Sequence, residues 1–154
     1  MTTVTATRTI PSDPASTALL LAGPSALGFW PGVQHVDGLL SPLSAQAAIA
    51  GSARRLVVRA EPPRRTPTAY VTSFRVEAEG LPSASGELRI TRHGWVGDVP
   101  TDASPDPTAA VASVRLEFST EVDYDAAVEE AIVRGVRTFL DNVAAYASGL
   151  VGAA

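Results

Sequence analysis

The side chains in this 154-residue sequence able to carry covalent or acid-base chemistry are two histidines, three tyrosines, the carboxylates and the Ser/Thr hydroxyls. There is no cysteine, which removes thiol nucleophiles, disulfides and thiolate metal sites together. All twelve basic residues are arginine, so neither a lysine Schiff base nor a P-loop lysine can form. His35 and His93 are each able to act as a general base. In an extended segment, His35-Val36-Asp37 puts an imidazole and a carboxylate on one face, as a base with its orienter or as a weak metal pair. Two ligands make a poor metal site and no third or fourth stands at a recognisable spacing, so no metal is expected. The plainer reading of both histidines is a surface or edge position.

Arg8 and Arg92 share the phase of apolar neighbours. An inward arginine could stabilise a carbonyl or an enolate. Against this stands an arginine near a strand end that reaches back to water, because an unpaired buried guanidinium is costly. Gly23-Pro24-Ser25-Ala26-Leu27-Gly28 is not a nucleophile elbow, since the spacing is wrong and no strand precedes it. No glycine-rich phosphate loop occurs. Arg54-Arg55 and Arg64-Arg65 read as solvated charge pairs.

Composition sets the frame in which such residues must be positioned. The chain is 45% hydrophobic and 18% charged, which fits one globular domain rather than a disordered segment. No apolar run approaches the roughly 20 residues of a membrane helix, so no membrane insertion is expected. Residues 1–11 lack a secretory core, and a cytoplasmic location is expected. A net charge of -4 argues against nucleic acid as a partner.

Periodicity then assigns the elements. Val4, Ala6, Arg8 and Ile10 alternate with threonines and predict a strand. Pro11-Ser12-Asp13-Pro14 ends it, and Ser12 or Asp13 can cap a helix running to Gly23-Pro24. A second short helix is predicted over 25–29. Strands follow over 33–40, 44–49 and 54–60; the middle one is alanine-rich and open to a helical reading. Residues 62–67 read as a turn or loop. The clearest strand has Tyr70, Thr72, Phe74, Val76 and Ala78 on one face. Leu88, Ile90 and Arg92 alternate in the next. Residues 94–108 read as a long loop carrying Trp95. A last strand puts Ala112, Val114, Leu116 and Phe118 on one face. From Asp123 or Asp125 the period changes, and Val128, Ile132, Val136, Phe139, Val143 and Leu150 mark an amphipathic helix of about 25 residues.

A strand, two short helices, about six antiparallel strands and one long helix make an α+β order. Its matching stretches are Arg8-Thr9-Ile10-Pro11, Phe29-Trp30-Pro31-Gly32-Val33-Gln34-His35-Val36, Gly51-Ser52-Ala53-Arg54-Arg55 and Phe139-Leu140-Asp141-Asn142-Val143. In this order they make the sequence resemble the START-like, or Bet v 1-like, helix-grip superfamily, especially its bacterial polyketide cyclase/dehydrase and lipid-transport branch. The resemblance implies one ligand-binding domain over residues 1–154, with a curved sheet of about seven antiparallel strands wrapped around the long helix. It implies that the connections at 50–54, 80–86 and 120–125 meet at one end, and those at 61–69 and 94–109 at the other. The cavity should open between the long helix and the first set.

Within that frame the expected ligand-binding residues are Tyr70, Thr72, Phe74, Arg92, Trp30, His35, Leu116, Phe118, Val136 and Phe139. The expected ligand is a hydrophobic, polyketide-like small molecule, held without a cofactor by a monomer or homodimer. The resemblance places such a protein in antibiotic biosynthesis or self-resistance, enediyne-type included. Two other functions fit the same fold. An aromatase/cyclase would use Arg92, Tyr70 or His35 as acid-base or oxyanion partners. A chaperone-associated interaction domain would instead expose a binding face.

Overall fold

The computed structural model describes residues 2–38, 42–49, 51–92, 95–96, 99–100, 111–120 and 122–152. The first strand, β1 (Thr2–Ile10), leads into α1 (Pro14–Ala22). Asp13 is the cap of α1: its Oδ1 accepts from the Ser16 backbone N–H at 2.8 Å and its Oδ2 from the Ser16 hydroxyl at 2.7 Å. These bonds, the backbone one foremost, hold the Asp13 carboxyl below its usual range. A 3-10 helix (Pro24–Phe29) follows, as the position of the second short helix predicts. Next come β2 (Val33–Asp37), β3 (Leu43–Ile49) and β4 (Ser52–Ala60). The alanine-rich segment is therefore a strand, because Leu43, Ala45 and Ala47 pair along β4.

Between β4 and β6 (Ala69–Ala78) the expected turn contains a two-residue strand, β5 (Arg64–Arg65). It pairs with Val71 and Tyr70, just past the point where β4 stops at Phe74. The vacated backbone groups of β6 thereby regain partners. β7 (Ala84–Arg92) begins three residues before the predicted strand, because its first residues pair with both neighbours. Within the expected long loop, β8 (Trp95–Val96) and β9 (Val99–Pro100) pair as a small separate hairpin. Residues 101–110 lie outside the described residues, so the rest of that loop expectation does too. β10 (Ala112–Thr120) precedes the long helix α2 (Ala126–Gly152), which Asp125 caps through the Val128 N–H at 3.0 Å.

The main sheet runs β1-β10-β7-β6-β4-β3-β2, antiparallel throughout, with β5 on the edge of β6. Its inner face meets α2, α1 and the 3-10 helix. α2 packs most closely on β1 and on the 3-10 helix, and so lies off-centre. α1 lies over β6, β7 and β10. The core gathers Ile10, Ile90, Val114 and Leu116 from the sheet with Val136, Leu140, Val143 and Ala147 from α2. Thr17 is fully buried in α1, and its hydroxyl donates to the Asp13 carbonyl at 2.9 Å. One end of the sheet is tied as expected. Arg54 donates to the Glu79 carbonyl at 2.8 Å, and the Tyr124 hydroxyl donates to the Pro82 carbonyl at 2.7 Å. Among the described residues, no helix is long and apolar enough to cross a membrane.

Candidate ligand-binding cavity

Because α2 sits over β1, the inner face of the other half of the sheet is left uncovered. A cavity of about 540 Å³ fills that space. This lies within the roughly 300–1,000 Å³ of small-molecule sites. Its sheet wall is Leu56, Val58 and Ala60 of β4, Thr72, Phe74 and Val76 of β6, and Leu116 and Phe118 of β10. Ala47 and Ile49 of β3 extend it. The segment Leu21–Gly32 closes one side, and Ala131, Arg134, Gly135, Thr138 and Phe139 of α2 close another. Gly51, Leu81, Pro82 and Tyr124 place the first loop set on its border, where the mouth was expected.

Two glycines let the aromatic lining assemble. Gly86 lies between Phe74 and Phe118 across β6, β7 and β10. A Cβ there would overlap the Phe74 ring, so glycine lets the two rings approach to 6.4 Å between centroids. A Cβ on Gly135 would come within 2.7 Å of the Trp30 indole. Its absence lets the indole lie against the helix, 5.9 Å from Phe139 and 6.3 Å from Phe118.

The polar content of the lining is small. The Thr72 and Thr138 hydroxyls and Trp30 Nε1 have no hydrogen-bond partner among the described residues. Tyr124 is committed to Pro82, and burial pushes its phenol above its ordinary value. No histidine or carboxylate is among the described lining residues. The described residues also contain no group of three or more potential metal ligands.

Trp30, Thr72, Phe74, Leu116, Phe118 and Phe139, all expected at the ligand, are brought together on this wall. Four others are placed elsewhere. Val136 is fully buried in the core and is not part of the cavity lining. Tyr70 packs half-buried against that same core, beyond the cavity. Arg92 ends β7 opposite Ala112, at the far end of the sheet. His35 is exposed, at a φ of 55° in an irregularity of β2 between Gln34 and Asp37. That left-handed residue interrupts the regular alternation assumed for His35 and Asp37. Arg8, opposite the buried Val114 on β10, reaches Asp141 of α2 at 3.6 Å and is half-exposed. His93 lies outside the described residues, as does the side chain of Trp95.

Ala47, Ile49, Leu56, Val58, Tyr124, Arg134 and Thr138 also line the cavity and were not among the expected ligand residues. For Leu56 and Val58 the signal was their shared phase on β4. For the alanines no pattern could have served, because short side chains carry little amphipathic contrast.

Compared by sequence, the chain matches no protein-family model and no curated protein. Its fold has many solved counterparts. A START superfamily protein from Mycobacterium smegmatis is 11% identical, superimposes with a TM-score of 0.68, and covers 96% of this chain and 98% of its own. The major latex-like protein 151 of Panax ginseng is 11% identical at a TM-score of 0.60, over 94% of this chain and 96% of its own. The di-domain aromatase/cyclase BexL of the BE-7585A biosynthetic pathway is 18% identical at 0.62, over 94% of this chain but 45% of its own. The off-centre helix, the seven-strand order and these likenesses together identify the fold as the START-like, or Bet v 1-like, helix-grip fold, which polyketide aromatase/cyclases share.

Proposed function

We propose that this chain binds a hydrophobic, polyketide-like small molecule in its cavity and carries or sequesters it in antibiotic biosynthesis or self-resistance. The observation that supports this reading is the cavity itself, about 540 Å³ with Trp30, Phe74, Phe118 and Phe139 around it. Aromatic walls with a few unpartnered polar groups suit a ring system bearing scattered oxygens. Solved neighbours from biosynthetic loci, such as DynU16 of the dynemicin locus, share the fold at 14% identity and support the setting. In this reading the protein acts in the cytoplasm as one ligand-binding domain.

Cyclisation in the cavity is the second reading, favoured by the likeness to the aromatase/cyclase BexL. It needs an acid-base group at the ligand. The described lining holds no histidine or carboxylate, and its tyrosine is engaged, which is why binding is preferred.

Native against denaturing mass spectrometry of the protein purified from its producer tests both. A retained small molecule released unchanged is the expected result. A molecule released cyclised or dehydrated relative to what was offered establishes the enzyme. No retained mass, with no change in tryptophan fluorescence on adding polyketides, overturns the cavity function and leaves a protein partner.

A further inference from the structure

Arg134 is the one charged side chain among the described cavity-lining residues. It is exposed, which puts it at the rim, and it belongs to no ion pair among the described residues. Arg8, Arg75, Arg89 and Arg115, in contrast, each have a carboxylate within 4 Å, at 3.6, 3.8, 3.5 and 3.3 Å. Glu130, one turn earlier on α2, is exposed and does not reach Arg134.

Two more polar groups lie on the same flank of the helix. Thr138 is one turn beyond Arg134, on the same side at i+4, and its hydroxyl has no partner among the described residues. Trp30 lays its indole against Gly135, with Nε1 3.2 Å from where a Cβ would stand. The flank thus gathers a guanidinium, a hydroxyl and an indole N–H. The guanidinium and the indole can only donate, and none of the three has an acceptor among the described residues. No carboxylate competes for them among the described lining residues. Beside an apolar wall the effective dielectric is below that of water, which strengthens the pull on an anionic oxygen.

We propose that the cavity takes an amphipathic organic acid: an apolar ring system inside, with its anionic oxygen held at the rim by Arg134 and assisted by Thr138 and Trp30. This rests on the cavity reading above, and it sets the orientation of the ligand. The acidic end stays at the mouth and the ring system enters first.

Two fluorescent probes with the same rings test it, anionic 1-anilinonaphthalene-8-sulfonate and neutral N-phenyl-1-naphthylamine. In Arg134→Gln the sulfonate should bind about fivefold more weakly, the scale of a partly exposed ion pair. The neutral probe should stay within about twofold. Arg134→Lys should recover most of the loss, and Thr138→Val should weaken the sulfonate alone. Added salt should weaken only the sulfonate, and only while position 134 is charged. Equal effects on both probes, or none on either, overturn the role of Arg134 while leaving the cavity intact. If neither probe binds the unmodified protein, the cavity reading falls and this inference with it.

Discussion

Across the inner face of the sheet, the flank under β1 and the flank under β4 and β3 meet the helices in opposite ways. On the first, Ile10 of β1 and the neighbouring Val114 share one core cluster with Val136, Leu140 and Val143 of α2, and each of these is almost wholly buried. On the second, Ala47, Ala60 and Ala78 stand where larger side chains would fill the gap, and α2 is displaced toward β1. Both flanks are apolar. What separates them is side-chain size and the position of one helix. Apolar patterning therefore makes the sheet bury its inner face, while volume decides whether the buried space is filled or left open.

Matched substitutions on the two flanks should separate them. Val143→Ala removes two methyl groups from a fully buried site and should cost about 2–3 kcal/mol. Val58→Ala removes the same groups beside the cavity and should cost less than about 1 kcal/mol, because some of their contacts are already missing. Urea unfolding measures both, and equal losses would mean that the second flank is as tightly packed as the first.

Enlarging the side chain reverses the comparison. Ala144→Leu overfills the core beside Val143 and should cost about 2 kcal/mol. Ala47→Leu grows into open space and should change stability by no more than about 0.5 kcal/mol, while weakening capture of the neutral probe. A strongly destabilised Ala47→Leu would mean that the space cannot accept added atoms.

The smallest effect belongs to the cap of α1. Asp13→Ala should cost about 1 kcal/mol without changing probe affinity, since Asp13 is exposed and away from the cavity lining. Its folded carboxyl is depressed, so this stability is fully present above the unfolded value of about 3.8 and is lost as pH falls through the folded one. The gap between variant and parent in thermal melts should accordingly close in acid. A gap that persists there would assign the stabilisation to something other than the ionised cap.

Alternation made β1 and β10 legible, because each turns one face to the core and the other toward water; β6 alternates in sequence too, although Val71 on its opposite face is also buried. The 3.6-residue period did the same for α2. β3 was ambiguous because alanine packs equally well in either element, and pairing with β4 resolved it. For the cavity, inward phase was enough to find Thr72, Phe74, Leu116 and Phe118. It failed for Tyr70 and Arg92, which have the same phase but lie farther along their strands, where the core is packed. It failed for Val136 because one helix has both a packed side and a cavity side. It failed for His35 because a single left-handed residue interrupts the alternation and leaves no mark in the local sequence.

The amino-acid sequence alone determined the chemistry that is absent, the order of elements and the faces that must turn inward. These follow from residue type and local period, which are properties of short stretches of chain. Only the tertiary structure decided that α2 rests over β1, that Gly86 and Gly135 admit the rings of Phe74 and Trp30, and that Arg134 stands at the rim. Each of these depends on how closely elements distant in the chain approach one another, and that distance is set by the packing of all their side chains at once.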